Sequence, residues 1–326
     1  MESAIPAQLQ TTRTTSTSRP DGFVPPVPAF VARFSATTTG VSVAYFGFQG
    51  SLAQPDALLS LMKSPQGPLR IESGRDGDSE IVAAYWATHD GFATWFRGTE
   101  VQSWWLTIED AVWLEAFAPS IDRFETLQSH QGEGVGILGM AEKMSEPIIE
   151  HNYWGGSRDR LPISQTDLLT ATGTLKRIEL APGRVKVTGH GNLAVIRSGQ
   201  DWSGTNGEER ELYLDTVEPN LRAGMTYLAA DGKDIGCYEC RYVRDEASET
   251  SYGYAIFRDL ADLEAWAKSH ETHLAIFGTF LQVAEQLAGN ITLKLYHEVA
   301  VVDAEACHFE YVNCRPETGL LGAVSA

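Results

Sequence analysis

The sequence predicts an α+β fold, duplicated, with helices on one face of a mostly antiparallel sheet, and three observations lead there. Strand-like runs dense in β-branched and aromatic residues alternate with helical segments whose apolar residues recur every three or four positions. Strand–helix–strand units of this kind occur in both halves of the chain, without a literal sequence repeat. The composition is that of a globular protein: 326 residues, 43% hydrophobic and 21% charged, enough for one large unit or two smaller ones.

Residues 1–30 are rich in Ser, Thr and Pro, and Pro20, Pro25, Pro26 and Pro28 block regular structure, so the chain opens with an arm. Residues 41–49 (VSVAYFGFQ) read as a strand, followed by a helix over DALLSLMK that Asp56 is placed to cap. Residues 81–88 form another strand, 92–105 a helical or irregular aromatic stretch, and VWLEAFAPSIDRFETL follows. In the second half, 184–197 read as a strand and 208–229 as a long amphipathic helix. Residues 235–244 and 251–257 are strand-like. Helices are expected over 259–269 and 272–287, the second capped by Thr272 or Ser269, and strands over 292–302 and 309–314 close the chain.

Charge narrows the partners. Asp and Glu number 43 against 25 Lys and Arg, a formal charge of −18, which repels phosphate backbones and anionic lipid surfaces. Neither nucleic acid nor a membrane is expected as a partner. The first twenty residues lack the apolar stretch of a secretory signal, and no run approaches the roughly 18 apolar residues of a membrane span, so a soluble, cytoplasmic protein is expected. Cys237, Cys240, Cys307 and Cys314 are too sparse for a disulfide scaffold and are expected to be free thiols.

Two histidines occupy apolar settings. In THLAIFGTF, His273 shares a helical face with Ile276, Phe277 and Phe280, so its imidazole points inward. In TLKLYHEVAVV, alternation puts Leu293, Leu295, His297, Val299 and Val301 on one side of a strand and Lys294, Tyr296 and Glu298 on the other. A buried imidazole is most often a hydrogen-bonded core residue. An apolar cavity with one neutral ring nitrogen is also what a haem iron requires, and a second imidazole there can serve as acid or base. Residue pattern alone leaves both readings open. Other polar groups share such settings: Glu125 in RFETL, Arg158 and Arg160 on the Gly-Gly loop HNYWGGSRDRLPISQTD, and Ser198 in IRSGQDW, at the end of a strand before a turn at Gly199. Taken singly, Glu125 and Arg160 read as a structural ion pair and Ser198 as turn chemistry.

Three motifs are set aside. CYEC at 237–240 has the spacing of a redox or zinc half-site, but in a strand residues three apart face opposite ways. Arg241 follows it where a covalent haem attachment site has His. GEGVG at 132–136 lacks the lysine of a phosphate loop and reads as a flexible turn. The Trp-rich WATHDGFATWFRGTEVQSWW reads as core and pocket lining rather than a base-stacking platform.

The segments RFETL, HNYWGGSRDRLPISQTD, IRSGQDW, GCYECRYV, WAKSHETHLAIFGTF, LKLYHEV and FEYVNCRPETG together resemble, in order and over most of the length, the haem-containing aldoxime dehydratases, phenylacetaldoxime dehydratases among them. The resemblance implies a duplicated ferredoxin-like fold of the dimeric α+β barrel type. Residues 1–36 would be the arm and 37–326 a single haem-binding catalytic domain in two halves, about 37–150 and 184–314. It implies one haem b, non-covalently bound and ferrous in the active state, a homodimer, and dehydration of aldoximes, R–CH=N–OH, to nitriles. His273 matches the family's proximal iron ligand and His297 its distal acid–base histidine. Arg160 and Ser198 match the groups that hold the substrate hydroxyl, and Glu125 the carboxylate that supports the distal network. The chain departs from the family at Asn152, Gly156 and Ser157, where GYWGSMR is common, and at Arg315 and Glu317, where NCHPGTG is common. The spacing of His273 and His297 indicates an insertion near 288–290. Rival readings are a haem enzyme of the peroxidase or chlorite dismutase kind, a non-catalytic haem-binding protein, and a cofactor-free α+β monooxygenase.

Overall fold

The computed structural model describes residues 1–50 and 55–324. Its organising element is a 12-stranded sheet whose described pairings are all antiparallel. In chain order the strands are β1 (Ser42–Gln49), β2 (Arg70–Asp76), β3 (Ser79–Trp86), β4 (Val112–Phe117), β5 (Phe124–Gln128) and β6 (Lys176–Ala181). They continue with β7 (Arg184–Thr188), β8 (Leu193–Asp201), β9 (Cys237–Asp245), β10 (Thr250–Phe257), β11 (Lys294–Val302) and β12 (Cys307–Val312). Across the sheet they lie in the order β5-β11-β8-β10-β9-β2-β3-β1-β4-β12-β7-β6.

The first half contributes β2-β3-β1-β4 and the second β11-β8-β10-β9. Each is a strand–helix–strand–strand–helix–strand run with its first and third strands as central neighbours. The inner faces of the curled sheet meet in a core that includes Tyr45, Ile81, Trp113, Val195, Tyr254 and Phe309. On the outer faces helices cover two further cores, one built on Phe46, Trp95 and Trp105, the other on Phe257, Leu263 and Val299. The Trp-rich stretch is thus core, folded as the helices Gly91–Phe96 and Thr99–Thr107. Among the described residues no helix is long and apolar enough to cross a membrane, and all four cysteines are free.

Several local expectations yield to tertiary structure. Residues 184–197 are two strands, split by a turn that includes Asn192 at φ 64°, and β7 and β8 lie far apart in the sheet. Ser198 therefore sits within β8, not at a strand end. The helix over 208–229 is broken into Gly207–Leu212 and Glu218–Asp231 by a π turn at Tyr213–Val217, next to Pro219, which lacks the N–H an α-helical register needs there. Asp56 makes no capping bond, and His270, rather than Thr272 or Ser269, caps the helix Glu271–Gln286 by accepting the Thr272 amide. A bulge between Cys237 and Glu239 resets the alternation of β9, so both thiols of CYEC lie in the same outer core. On β11, Tyr296 and Glu298 are buried as well as Val299 and Val301, because this strand has core on both faces.

Candidate active site

β5, β11 and β8 are neighbours, and their register builds the site. Glu125 pairs with Val299, while His297 lies between Leu127 of β5 and Ser198 of β8. Directly opposed residues project to the same side. Glu125, His297 and Ser198 therefore share the outer face. The loop beyond β5 supplies the remaining polar group: Gly155, at φ 89°, a left-handed conformation that favours glycine, leads into the short helix Gly156–Arg160.

Arg160 and Glu125 form a buried two-pronged ion pair, Nε to Oε2 at 2.8 Å and Nη2 to Oε1 at 3.0 Å. Nη2 also donates to Nε2 of His297 at 2.7 Å, and that nitrogen lies 3.1 Å from Glu125 Oε1. Ser157 Oγ donates to Glu125 Oε1 at 2.5 Å, and the last guanidinium prong, Nη1, donates to the Glu150 carbonyl at 2.6 Å. Burial acting alone raises the Glu125 carboxyl, but the Arg160 charge, followed by His297, outweighs it and lowers its pKa to about 2. Glu125 is anionic at neutral pH. One imidazole nitrogen consequently faces a permanent donor and a permanent acceptor. Neutral, it accepts from Arg160; protonated, it donates to Glu125.

His273 stands apart, linked to none of these five by a hydrogen bond. Its ring packs edge-on against Trp266 at 4.7 Å and Trp154 at 5.8 Å between centroids. Nδ1 is buried without a hydrogen-bond partner of normal geometry. Burial holds the imidazole below its usual pKa, against an opposing pull from the Ala267 backbone. The helical face around it is not the closed core that periodicity predicts. Only Val283 is fully buried on the helix Glu271–Gln286, while Leu274, Phe277 and Leu281 are 43, 40 and 49% exposed.

Arg158 stays outside the site, bound to Glu264 at 2.7 Å and to the Leu168 carbonyl at 2.8 Å. Ser157, Glu150 and Trp154 also contact the site residues, and their one signal in the sequence is nearness to SRDR.

The family model for haem-containing dehydratases matches residues 44–320. The chain belongs to that family. It is 40% identical to the aliphatic aldoxime dehydratase of Pseudomonas chlororaphis over 98% of both chains. With the phenylacetaldoxime dehydratase of Bacillus sp. (strain OxB-1) it shares 31% identity over 93% of both. Its fold matches, with a TM-score of 0.92 at 38% identity, the crystal structure of an aldoxime dehydratase in complex with butyraldoxime, over 99% of this chain and 96% of that one.

In a haem-containing dehydratase the open helix has a physical reason. A porphyrin needs flat apolar walls and its iron a neutral ring nitrogen. His273 has such a nitrogen, and Leu274, Phe277 and Trp154, the last 39% exposed, are apolar surface left uncovered among the described residues. These residues fit the group.

Proposed function

We propose that this haem-containing dehydratase converts aldoximes, R–CH=N–OH, to nitriles and water. The observation that carries the reading is a single nitrogen, His297 Nε2, held between the Arg160 guanidinium and the Glu125 carboxylate beside Ser198. Dehydration needs an acid for the departing oxygen and a base for the carbon-bound hydrogen. Protonated, His297 gives its proton to the leaving hydroxyl, which departs as water; neutral, it then takes the proton from carbon, and the imidazolium is restored. Ser198 and Arg160 hold the hydroxyl against His297. Glu125 anchors Arg160 and accepts a hydrogen bond from the protonated imidazole. His273 would hold the haem iron, and ferrous haem b, bound there without a covalent link, would supply electron density that weakens the N–O bond.

The two strand–helix runs are read as ferredoxin-like halves of one catalytic domain, about 37–150 and 184–314 within 37–326, with 1–36 as an arm; residues 51–54 and 325–326 of that span lie outside the described residues. The repeated strand order supports this reading. The family resemblance supports a homodimer, and the free thiols support a cytoplasmic setting.

The test is direct. Purified protein matured with haem precursors should show a Soret band and, reduced under anaerobic conditions, form nitrile from butyraldoxime or phenylacetaldoxime. His297→Ala should lower that rate by ~10²–10⁴-fold with the band retained, whereas His273→Ala should lose the band. Colourless protein, or ferric protein that turns over peroxide and makes no nitrile, would overturn the proposal.

A further inference from the structure

The N-terminal arm is bound along the segment that carries Arg160. Asp159, the neighbour of Arg160, is 3% exposed, and its carboxylate accepts the backbone amides of Ser18 at 2.9 Å and Arg19 at 3.1 Å and the Tyr153 hydroxyl at 3.0 Å. Beyond it, the Thr14 amide donates to the Gln165 carbonyl at 2.8 Å and the Thr11 amide to Gln165 Oε1 at 3.0 Å. Before it, the Ala4 amide donates at 2.7 Å to the carboxylate of Glu150, whose carbonyl receives Arg160 Nη1. Gly155 marks the crossing point: a Cβ there would collide with Ser18. The same loop lays Trp154 against His273. Between arm and ion pair lies a cavity of about 210 Å³, lined by Ala4, Pro6 and Leu9 on one side and Glu125 and Arg160 on the other.

We infer that residues 1–19 are a strap built into the active site and that Asp159 is the positioning residue through which it acts. Glu125 holds the tip of the Arg160 side chain, while Asp159 holds the backbone from which that side chain hangs. The five-residue helix Gly156–Arg160 makes too few bonds of its own to do this. A buried carboxylate with two donors from the arm and one from Tyr153 joins the arm to the Tyr153–Arg160 loop, and so sets where the guanidinium meets His297 and the substrate hydroxyl. Rate is steep in such placement, about 10²-fold for a misplacement near 1 Å. The inference rests on the reading that Arg160 handles the oxime hydroxyl.

Asp159→Ala in the full-length holoenzyme should lower kcat for nitrile formation by ~10- to 10²-fold. KM should change less, because the hydroxyl contact matters most as the oxygen departs. The Soret band should stay in place, and the Ser18 and Arg19 amides should exchange hydrogen faster. Asp159→Asn, which keeps an acceptor oxygen, should recover part of the rate. Deletion of residues 2–19 should reproduce the kcat loss and provides the second measurement if the point variant fails to fold. Wild-type kcat in Asp159→Ala with both amides released, or in the deletion variant, overturns the strap. Absence of nitrile from the wild-type holoenzyme overturns the proposed function instead.

Discussion

Two buried arginines lie on opposite faces of the same few strands, and their surroundings differ. Arg160, on the outer side, shares Glu125 with His297, whose side chain is 26% exposed. Arg197, on the inner side of β8, is one residue from Ser198. It pairs with Glu72 Oε2 at 2.5 Å, donates to the hydroxyls of Tyr85 and of Tyr296, the latter at 3.1 Å, and stacks over Tyr252 at 4.1 Å. Glu298, its cross-strand neighbour, is also within the cluster, at 4.0 Å. The glycine-rich turn closes this cluster: the Gly136 amide donates to Glu72 at 3.0 Å and the Ile137 amide to Glu298 at 3.1 Å. Gly136, at φ 55°, leaves no room for a Cβ beside the Glu298 carboxylate. The inner cluster ties the first half, through Glu72 and Tyr85, to the second, through Arg197 and Glu298. Burial and pairing of charge therefore do not mark a site. What separates the two is whether the proton-bearing atom can be reached.

The comparison is tested most strongly by treating both arginines alike. Arg160→Met should lower nitrile formation by ~10²–10³-fold, since it removes a donor aimed at developing charge; steady-state kinetics check this. Arg197→Met should instead appear in denaturant unfolding, with a loss of about 3–5 kcal/mol, because the largely buried Glu72 carboxylate is left without its cation. The folded fraction should keep a near-normal kcat. If Arg197→Met lost activity but not stability, the division of labour would be wrong.

The two carboxylates sharpen the contrast through pH. Burial, ahead of the opposing Arg197 charge and the reinforcing Glu72 charge, raises Glu298 from 4.5 to about 7. Its folded state favours the protonated form, so its contribution to stability is complete below about 4.5 and is lost as pH rises through about 7. Glu125 has the opposite sign: lowered to about 2, it contributes fully above 4.5, and that contribution is lost as pH falls toward 2. Glu298→Gln should therefore flatten the decline in Tm between pH 4.5 and 7, an effect on the order of 3 kcal/mol, and leave the acid limb unchanged. The smallest expected effect is that of Gly136→Ala, about 1–3 kcal/mol of stability from overpacking against Glu298, with oxime KM unaltered.

Much of this was legible in the sequence. Periodicity located the strand that bears His297 and the helix that bears His273, and the short segments around Glu125, Arg160 and Ser198 carried the family resemblance. Alternation failed where a strand has core on both faces: Tyr296 and Glu298 read as the polar side of β11, yet they point into the inner core with Arg197. It failed again at β9, where one bulged residue turned Cys237 and Cys240 to the same side. Ser198 read as turn chemistry because Gly199 follows it, whereas Gly199 continues β8 and packs against Tyr296.

The order of residues alone determined most of the kinds of element and their sequence along the chain, since these depend on neighbours within a turn of helix or a few strand positions. The meeting of His297 Nε2 with Arg160 and Glu125 joins residues 137 and 172 positions apart, and the docking of the arm on Asp159 spans about as far. Such contacts depend on strand order and register, which local periodicity does not encode, and only the folded sheet decided them.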